Sequence, residues 1–434
     1  MLKPNEDAEG RLDEYLDCLG HVIGHRDRQG PLRAYLTGLL LQGERKSVEP
    51  MAARIDPYHV SARHQSMHHL VASAPWDHEE VLRAARDYLL PLMERHAPVG
   101  AWIIDDTGMP KKGTHSVGVA RQYCGAVGKQ ENCQVVVTIS LANAVMSVPA
   151  AYRLYLPESW AKAKERRETA GVPKEVTFQT KWKIALAQID GLLSDDLPRA
   201  PVLADAGYGN VTEFREGLSA RGLRYAVGVN PETTVWPPGV EPLPAKPWSG
   251  QGHPPRLLRR DRDHRPMAAQ ALAHSLPTSE WKTVRWREGT RGTMSSRFAA
   301  VRVRAAHRDY WKEKMREEEW LLVEWPEKEK EPTKYTLSTA PENVPLEDLV
   351  RLVKLRWRVE RDYEEMKQET GLDHFEGRGW RGFHHHGALC IAAYAFLAAE
   401  RARLSPPEPL AFLRAAALPE GFRPRGAPAK AGTA

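Results

Sequence analysis

Three acidic positions, far apart along the chain, stand where a fold could gather them. Asp105 and Asp106 close the apolar run AWIIDD, Asp205 closes PVLAD, and Glu360 lies inside a long helical pattern. A carboxylate at the end of a short apolar strand, followed by a turn rich in glycine, sits where α/β sheets gather their sites. Carboxylates from separate elements are hard oxygen ligands, and two or three of them can hold a pair of divalent ions with room left for a phosphate. Such a pair activates a water or a 3′-hydroxyl and stabilises the leaving oxygen in phosphodiester displacement. Either Asp105 or Asp106 could supply the first carboxylate.

Glu360 is carried by the segment NVPLEDLVRLVKLRWRVERDYEEMKQETG, residues 343–371, which reads as one helix. Asn343 suits the N-cap, Pro345 the first turn, Glu347 and Asp348 the positive helix end, and Gly371 the C-terminal stop. Leu346, Leu349, Val350, Val353, Trp357 and Tyr363 recur three or four apart and draw an apolar stripe. Glu360 falls on that stripe, so the pattern aims a carboxylate at a core, which is costly unless it is paired or binds a metal. Arg356 lies one turn before it and Lys367 two turns after. On this helix alone, the simplest reading is an Arg356–Glu360 ion pair at the edge of the stripe.

The scaffold that holds these acids is read from the rest of the chain. Its 434 residues are enough for two or three domains, and 42% hydrophobic with 27% charged residues is ordinary for a soluble globular protein. The apolar runs are too interrupted for a membrane span and the polar, acidic start does not resemble a signal peptide, so a cytoplasmic location is expected. Cys18, Cys124, Cys133 and Cys390 lack metal or disulfide spacing and read as small core residues. Net charge is only +6, but basic residues cluster at 162–167, at 258–265 and between Arg285 and Arg308, among tryptophans. That texture suits a polyanion partner, although a solvated, salt-bridged surface explains most such runs.

Residues 1–98 read as a helical domain for DNA-end binding or dimerisation, or as a cap that packs on the remainder of the chain. Residues 99–230 alternate strands and helices: strand-like 101–106 halted by TGMPKKG, a meander over 115–157, an amphipathic helix at 178–196, and a strand–helix–strand unit ending at 224–230. Residues 231–341 begin with a Pro-, Gly- and Trp-crowded stretch and continue as antiparallel hairpins, a β-rich basic insertion. Residues 342–404 hold the Glu360 helix, a glycine- and histidine-rich loop, and an apolar helix from Ala388. A low-complexity tail fills 405–434, with disorder expected from about Arg423.

The blocks DDTGMPKKGTHSVGVARQYCGAVGKQENCQV, VLADAGYGN and LRWRVERDYEEMKQETGLDHFEGRGWRG resemble, in order, the three catalytic blocks of bacterial insertion-sequence transposases of the DDE superfamily. The nearest group is insertion-sequence family seven-hundred-and-one, related to family four, and the similarity spans about residues 30–400. It implies an α/β, ribonuclease H-like core with a β-strand insertion between the second and third acids. It also implies cut-and-paste transposition with Mg2+ or Mn2+, two ions, on double-stranded DNA by a homodimer or larger assembly. Carried over by position, the acids are Asp106, with Asp105 as competitor, then Asp205 and Glu360. The related enzymes carry a Tyr-Arg-Glu-Lys signature. Arg356, Glu360 and Lys367 match it, whereas Val353 stands at the tyrosine position. The resemblance gives Arg356 and Lys367 the phosphates of the DNA end, against a plain role in helix salt bridges.

Fewer signals attach to the remaining candidates. Lys111 and Lys112 could bind DNA or be ordinary turn lysines. Tyr208 and Asn210 could touch the cut strand or shape a turn, and Trp286 or Trp311 could stack on a base or belong to the core. His384, His385 and His386 point in different directions and define no site. A catalytically silent DNA-binding descendant and a two-carboxylate glycosidase are the competing readings. The first leaves the intact triad without a use, and the second leaves the third acid unexplained.

Overall fold

The structure is a computed structural model that describes residues 7–289 and 292–404. The tail expected at 405–434 lies outside the described residues. Five helices open the chain: α1 (Ala8–Val22), α2 (Arg26–Leu40), α3 (Val48–Ile55), α4 (Val60–Ala72) and α5 (His78–His96). Asp7 and Asp77 cap α1 and α5 by accepting the backbone N–H of Gly10 and Glu79. Next come β1 (Ala101–Pro110), β2 (Ala120–Cys124), β3 (Lys129–Ala142) and β4 (Ser147–Leu154), which form no simple meander, because β3 pairs with β1 on one side and with β2 and β4 on the other. After α6 (Glu158–Ala161), α7 (Lys164–Thr169) and α8 (Lys181–Ser194) come β5 (Val202–Ala204), α9 (Ala206–Gly209), α10 (Thr212–Ala220) and β6 (Tyr225–Val229).

The next stretch holds β7 (Thr234–Trp236), β8 (Met267–Ala268), α11 (Ala269–Ser275) and the antiparallel strands β9 (Lys282–Gly289), β10 (Gly292–Ala305), β11 (Glu319–Trp325) and β12 (Lys334–Ser338). Helices α12 (Leu346–Lys354), α13 (Trp357–Glu369) and α14 (Trp380–Leu404) complete the described chain. All strands join one mixed sheet in the order β2-β3-β1-β5-β6-β12-β11-β10-β7-β8, with β4 beside β3 and β9 beside β10. Pairing is parallel for β1–β5 and β5–β6. Because β12 pairs with β6, the hairpins between Asp205 and Glu360 continue the same sheet. The N-terminal helices share one hydrophobic core with it, from Tyr15, Leu39 and Leu89 to Trp102 and Phe383.

Four local expectations need correction. Strand β1 does not stop at Asp106 but runs to Pro110, because its ladder with β3 continues from Ala101↔Ala142 to Pro110↔Cys133. Gly108 permits this: a Cβ there would lie 2.4 Å from Cys124 Sγ. The single helix expected over 343–371 is two. At the junction the amides of Leu355, Arg356 and Arg358 reach back three residues, a 3₁₀-like tightening. The two pieces have different partners. Leu349 and Val350 of α12 pack with Val284, Phe298 and Leu322 of the hairpins, whereas Val359, Tyr363 and Met366 of α13 join the main core. Helix α14 starts at Trp380, not Ala388, since its three histidines are buried and bonded: His384 and His385 to backbone groups, His386 to Gly371 O and the Tyr35 hydroxyl. Of the cysteines, Cys18 is exposed and the other three are buried.

Candidate active site

The register between β1 and β5 decides which first acid meets Asp205. Trp102 and Ile103 stand opposite Val202 and Leu203 in a parallel pair. Two residues further on, Asp105 comes level with Asp205, whose backbone is still extended. Residues in register on neighbouring parallel strands point to the same face, about 4.8 Å apart in the hydrogen-bonding direction. Asp105 and Asp205 are therefore side by side, and Asp106 projects from the opposite face. Asp105 also pairs with Thr138 of β3, and the Thr138 hydroxyl bonds the Tyr363 hydroxyl of α13, so this is the face that α13 covers.

Glu360 sits in the first turn of α13, and Arg356 joins it to the strand acid. One guanidinium nitrogen of Arg356 lies 3.3 Å from Asp105 Oδ1 and the other 3.0 Å from Glu360 Oε1. The ion pair expected from the helix alone is present, with Asp105 as an additional partner. Glu360 is not on the buried side of its helix, as the stripe suggested: its side chain is 63% exposed, against 15% for Asp105. The break at Leu355–Arg356 rephases the helix and turns Glu360 toward solvent. Burial pushes the Asp105 carboxyl up to about 7, with the negative charges of Asp106 and Asp205 adding to the rise and Arg356 opposing it.

Asp106 belongs to a different constellation. It forms an ion pair with Lys181 at the start of α8 and accepts the Tyr208 hydroxyl at 2.9 Å. Tyr208 is buried, and burial first, then the Asp106 carboxylate, raises its hydroxyl well above the ordinary range. The backbone of α9 approaches β6 so closely that a Cβ on Gly209 would lie 2.0 Å from the carbonyl of Gly228.

The site thus offers oxygen donors of the kind Mg2+ or Mn2+ prefers. Asp105, whose pKa burial raises to about 7, is a carboxyl whose ionised form a neighbouring dication would favour. Among the described residues, no three His, Cys, Asp or Glu side chains already form a cage. A family described as DDE superfamily endonuclease matches residues 14–293, more than half of the chain. This chain belongs to that family. The match takes in Asp105, Asp106 and Asp205, and Glu360 lies beyond it. A protein described as a probable transposase for insertion sequence element IS701, from Microchaete diplosiphon, is 32% identical over 166 residues. The aligned part is 38% of this chain and 40% of that protein, well under two thirds of its length.

The other candidate residues of the chain have varied surroundings. Lys367 donates to the carbonyl of Gly108 at 3.1 Å, and burial lowers the pKa of its ammonium. Lys111 is likewise committed, to the carbonyls of Asp373 and Phe375, whereas Lys112 is exposed. Trp286 packs edge-on to Phe298 with Lys354 Nζ 4.3 Å above its ring, within the contact between hairpin and α12. Trp311 is the freer of the two tryptophans, 59% exposed. Sequence reasoning missed Lys181, which has no local signature, and Asp362, which is 3% exposed and takes bonds from Ser147 Oγ and the Tyr394 hydroxyl. It also missed Tyr363, whose hydroxyl lies against the backbone carbonyl of Asp105. The spacing of Val359, Asp362, Tyr363 and Met366 was the available signal, and it is hidden as long as 343–371 reads as one continuous helix. Among the described residues, no helix is long and apolar enough to cross a membrane.

Proposed function

We propose that this chain is a DNA transposase that cuts double-stranded DNA at the ends of a mobile element and joins the freed ends to a target by a cut-and-paste route. Its catalytic acids are Asp105, Asp205 and Glu360. The observation that supports the reading is the parallel register that ends at Ile103↔Leu203, which carried on by two residues brings Asp105 level with Asp205, together with Arg356 tying Asp105 to Glu360. Family membership and the similarity to a transposase over part of the chain support it. The core is ribonuclease H-like, with the hairpins of residues 282–338 as the insertion between the second and third acids. Two copies pair the element ends.

Asp105, Asp205 and Glu360 would hold Mg2+ or Mn2+, two ions, which supply a deprotonated nucleophile and charge stabilisation at the leaving oxygen. The protein's own groups do the rest. Arg356 offers a planar fork to a phosphate of the bound end, and Lys112 and the exposed arginines add sequence-independent contacts to the backbone. Lys181 and Tyr208 fix Asp106, and through it the strand that carries Asp105, which makes Asp106 a positioning residue. Lys367 holds β1 against α13 from within. The test is cleavage of a duplex carrying the inverted repeats that flank the gene. Asp105→Asn, Asp205→Asn and Glu360→Gln should each abolish Mn2+-dependent cutting while end binding persists in a mobility-shift assay. Retained cutting by Asp105→Asn beside loss in Asp106→Asn would return the first-acid role to Asp106.

A further inference from the structure

We infer that Arg356 is an internal cation that occupies the divalent ion's place between Asp105 and Glu360 and must withdraw before a metal binds. The inference rests on the proposed reading of Asp105, Asp205 and Glu360 as the metal-holding acids. Both carboxylates that Arg356 touches are ones a magnesium ion would take at about 2.0–2.1 Å, with near-octahedral demands. A guanidinium 3.3 Å from one and 3.0 Å from the other engages the same oxygens. It also repels an incoming dication across a half-buried gap, where charge interactions are stronger than in water. Asp205 lies outside this bridge, with its Oδ1 accepting the backbone N–H of Gly207 at the start of α9.

Arg356 is placed to move. It stands at the break between α12 and α13, where backbone hydrogen bonds are already irregular. The hairpin grips both sides of that break. Arg287 of β9 lies 3.9 Å over the ring of Trp357, and Lys354 at the end of α12 pairs with Glu324 of β11 at 2.7 Å. DNA laid on the basic hairpin would pull at residues adjoining Arg356 on either side, and a phosphate near the site would offer its fork a stronger acceptor than Glu360 in water. The ion and the DNA end then load together, and the free protein is kept from cutting unpaired DNA.

The experiment titrates Mn2+ into the full-length, DNA-free protein and follows the free-ion electron paramagnetic resonance signal. Arg356→Gln should tighten Mn2+ binding by about tenfold or more. Arg356→Lys keeps one positive charge but cannot span both carboxylates, and should tighten it less. It also serves as the readable variant should the glutamine form melt below the assay temperature. Adding Asp105→Asn to Arg356→Gln should erase the gain. Mn2+ binding that is no tighter in Arg356→Gln or Arg356→Lys, while Asp105→Asn still weakens it, overturns this inference and leaves the proposed function standing. Mn2+ binding untouched by Asp105→Asn in either background removes the metal role of that acid, and the inference with it.

Discussion

Asp105 and Asp106 are chemically identical neighbours, yet β1 sends them to opposite faces of the sheet and into opposite electrostatic conditions. Asp106 has a lysine and a phenol as partners, so its charge is satisfied within the protein. Asp105 has a shared arginine and two nearby carboxylates, and burial lifts it to about 7. On the proposed reading, the acid that takes a cation is the one set among other carboxylates, and not the one that the protein already matches with a lysine. A carboxylate already matched by Lys181 has less to gain from a divalent ion than one crowded by its own kind.

Replacing each in turn tests that contrast most severely. Asp105→Asn should lower Mn2+-dependent DNA cleavage by about a thousandfold or more, as expected when a group acting on developing charge is lost. Asp106→Asn should cost about tenfold to a hundredfold, through displacement of the strand, and pairing it with Lys181→Met should recover part of the loss because the lysine is then not left unmatched. Equal losses for the two aspartates, with no recovery in the double variant, would mean that both act directly and that the two faces are not functionally distinct.

Helix α13 repeats the same lesson across its own width. Glu360 faces solvent on one side, and Asp362, two residues on, is buried with Ser147 and Tyr394 as donors on the other. Burial pushes Asp362 up to about 6 against those hydrogen bonds. Asp362→Ala should therefore destabilise the fold by about 1–3 kcal/mol, since it strands the Ser147 hydroxyl and leaves the Tyr394 hydroxyl only its longer bond to Glu365. Glu360→Gln, at an exposed position, should stay within about 0.5 kcal/mol. Denaturant melts of both variants measure the difference, and a Glu360→Gln penalty as large as that of Asp362→Ala would put the buried role back on Glu360.

These pairs also show what could be read from the residues and what could not. The alternation of strands and helices over 99–230 was legible because each segment is short, apolar and bounded by turn residues, and the hairpins of 282–338 were legible from their period-two pattern. The existence of acids at 105 or 106, 205 and 360 was legible for the same reason. Choosing between Asp105 and Asp106 was not, because it depends on strand register, and a slip of one residue exchanges the faces. The orientation of Glu360 was hidden by the break at Leu355–Arg356, which arises from two separate packing partners and leaves no proline or glycine as a marker. Lys181 was invisible because a tertiary contact 75 residues away has no local periodicity.

The unresolved charge on Asp105 has a signature in pH as well. Its folded pKa of about 7 lies above the ordinary carboxylate value of about 3.9. Between those values the folded chain keeps a proton that the unfolded chain has lost, so stability declines as pH rises through that window. Asp105→Asn removes this decline. In the metal-free protein the variant should melt about 2 °C or more above the parent at pH 8, and the gap should close near pH 4. Asp362 contributes its own decline to parent and variant alike, so the difference isolates Asp105. A gap that persists at pH 4 would point to packing in place of charge.

The smallest contrast lies just past the end of β1, in the pair Lys111 and Lys112. Both could meet DNA by sequence alone, but Lys111 is tied to the carbonyls of Asp373 and Phe375 and burial lowers its pKa, whereas Lys112 is exposed. Neutralising one phosphate contact weakens binding evenly across sequences and lowers the salt slope by about one. Lys112→Ala should do that, with end affinity falling about twofold to fivefold at physiological salt and melting unchanged. Lys111→Ala should instead loosen the 371–379 loop, which shows as faster proteolysis there and little change in the salt slope. The slope is the deciding readout: should it fall for Lys111→Ala and not for Lys112→Ala, the buried lysine leaves its carbonyls when DNA arrives, and burial in the free chain is no guide to which cations this surface commits to its substrate.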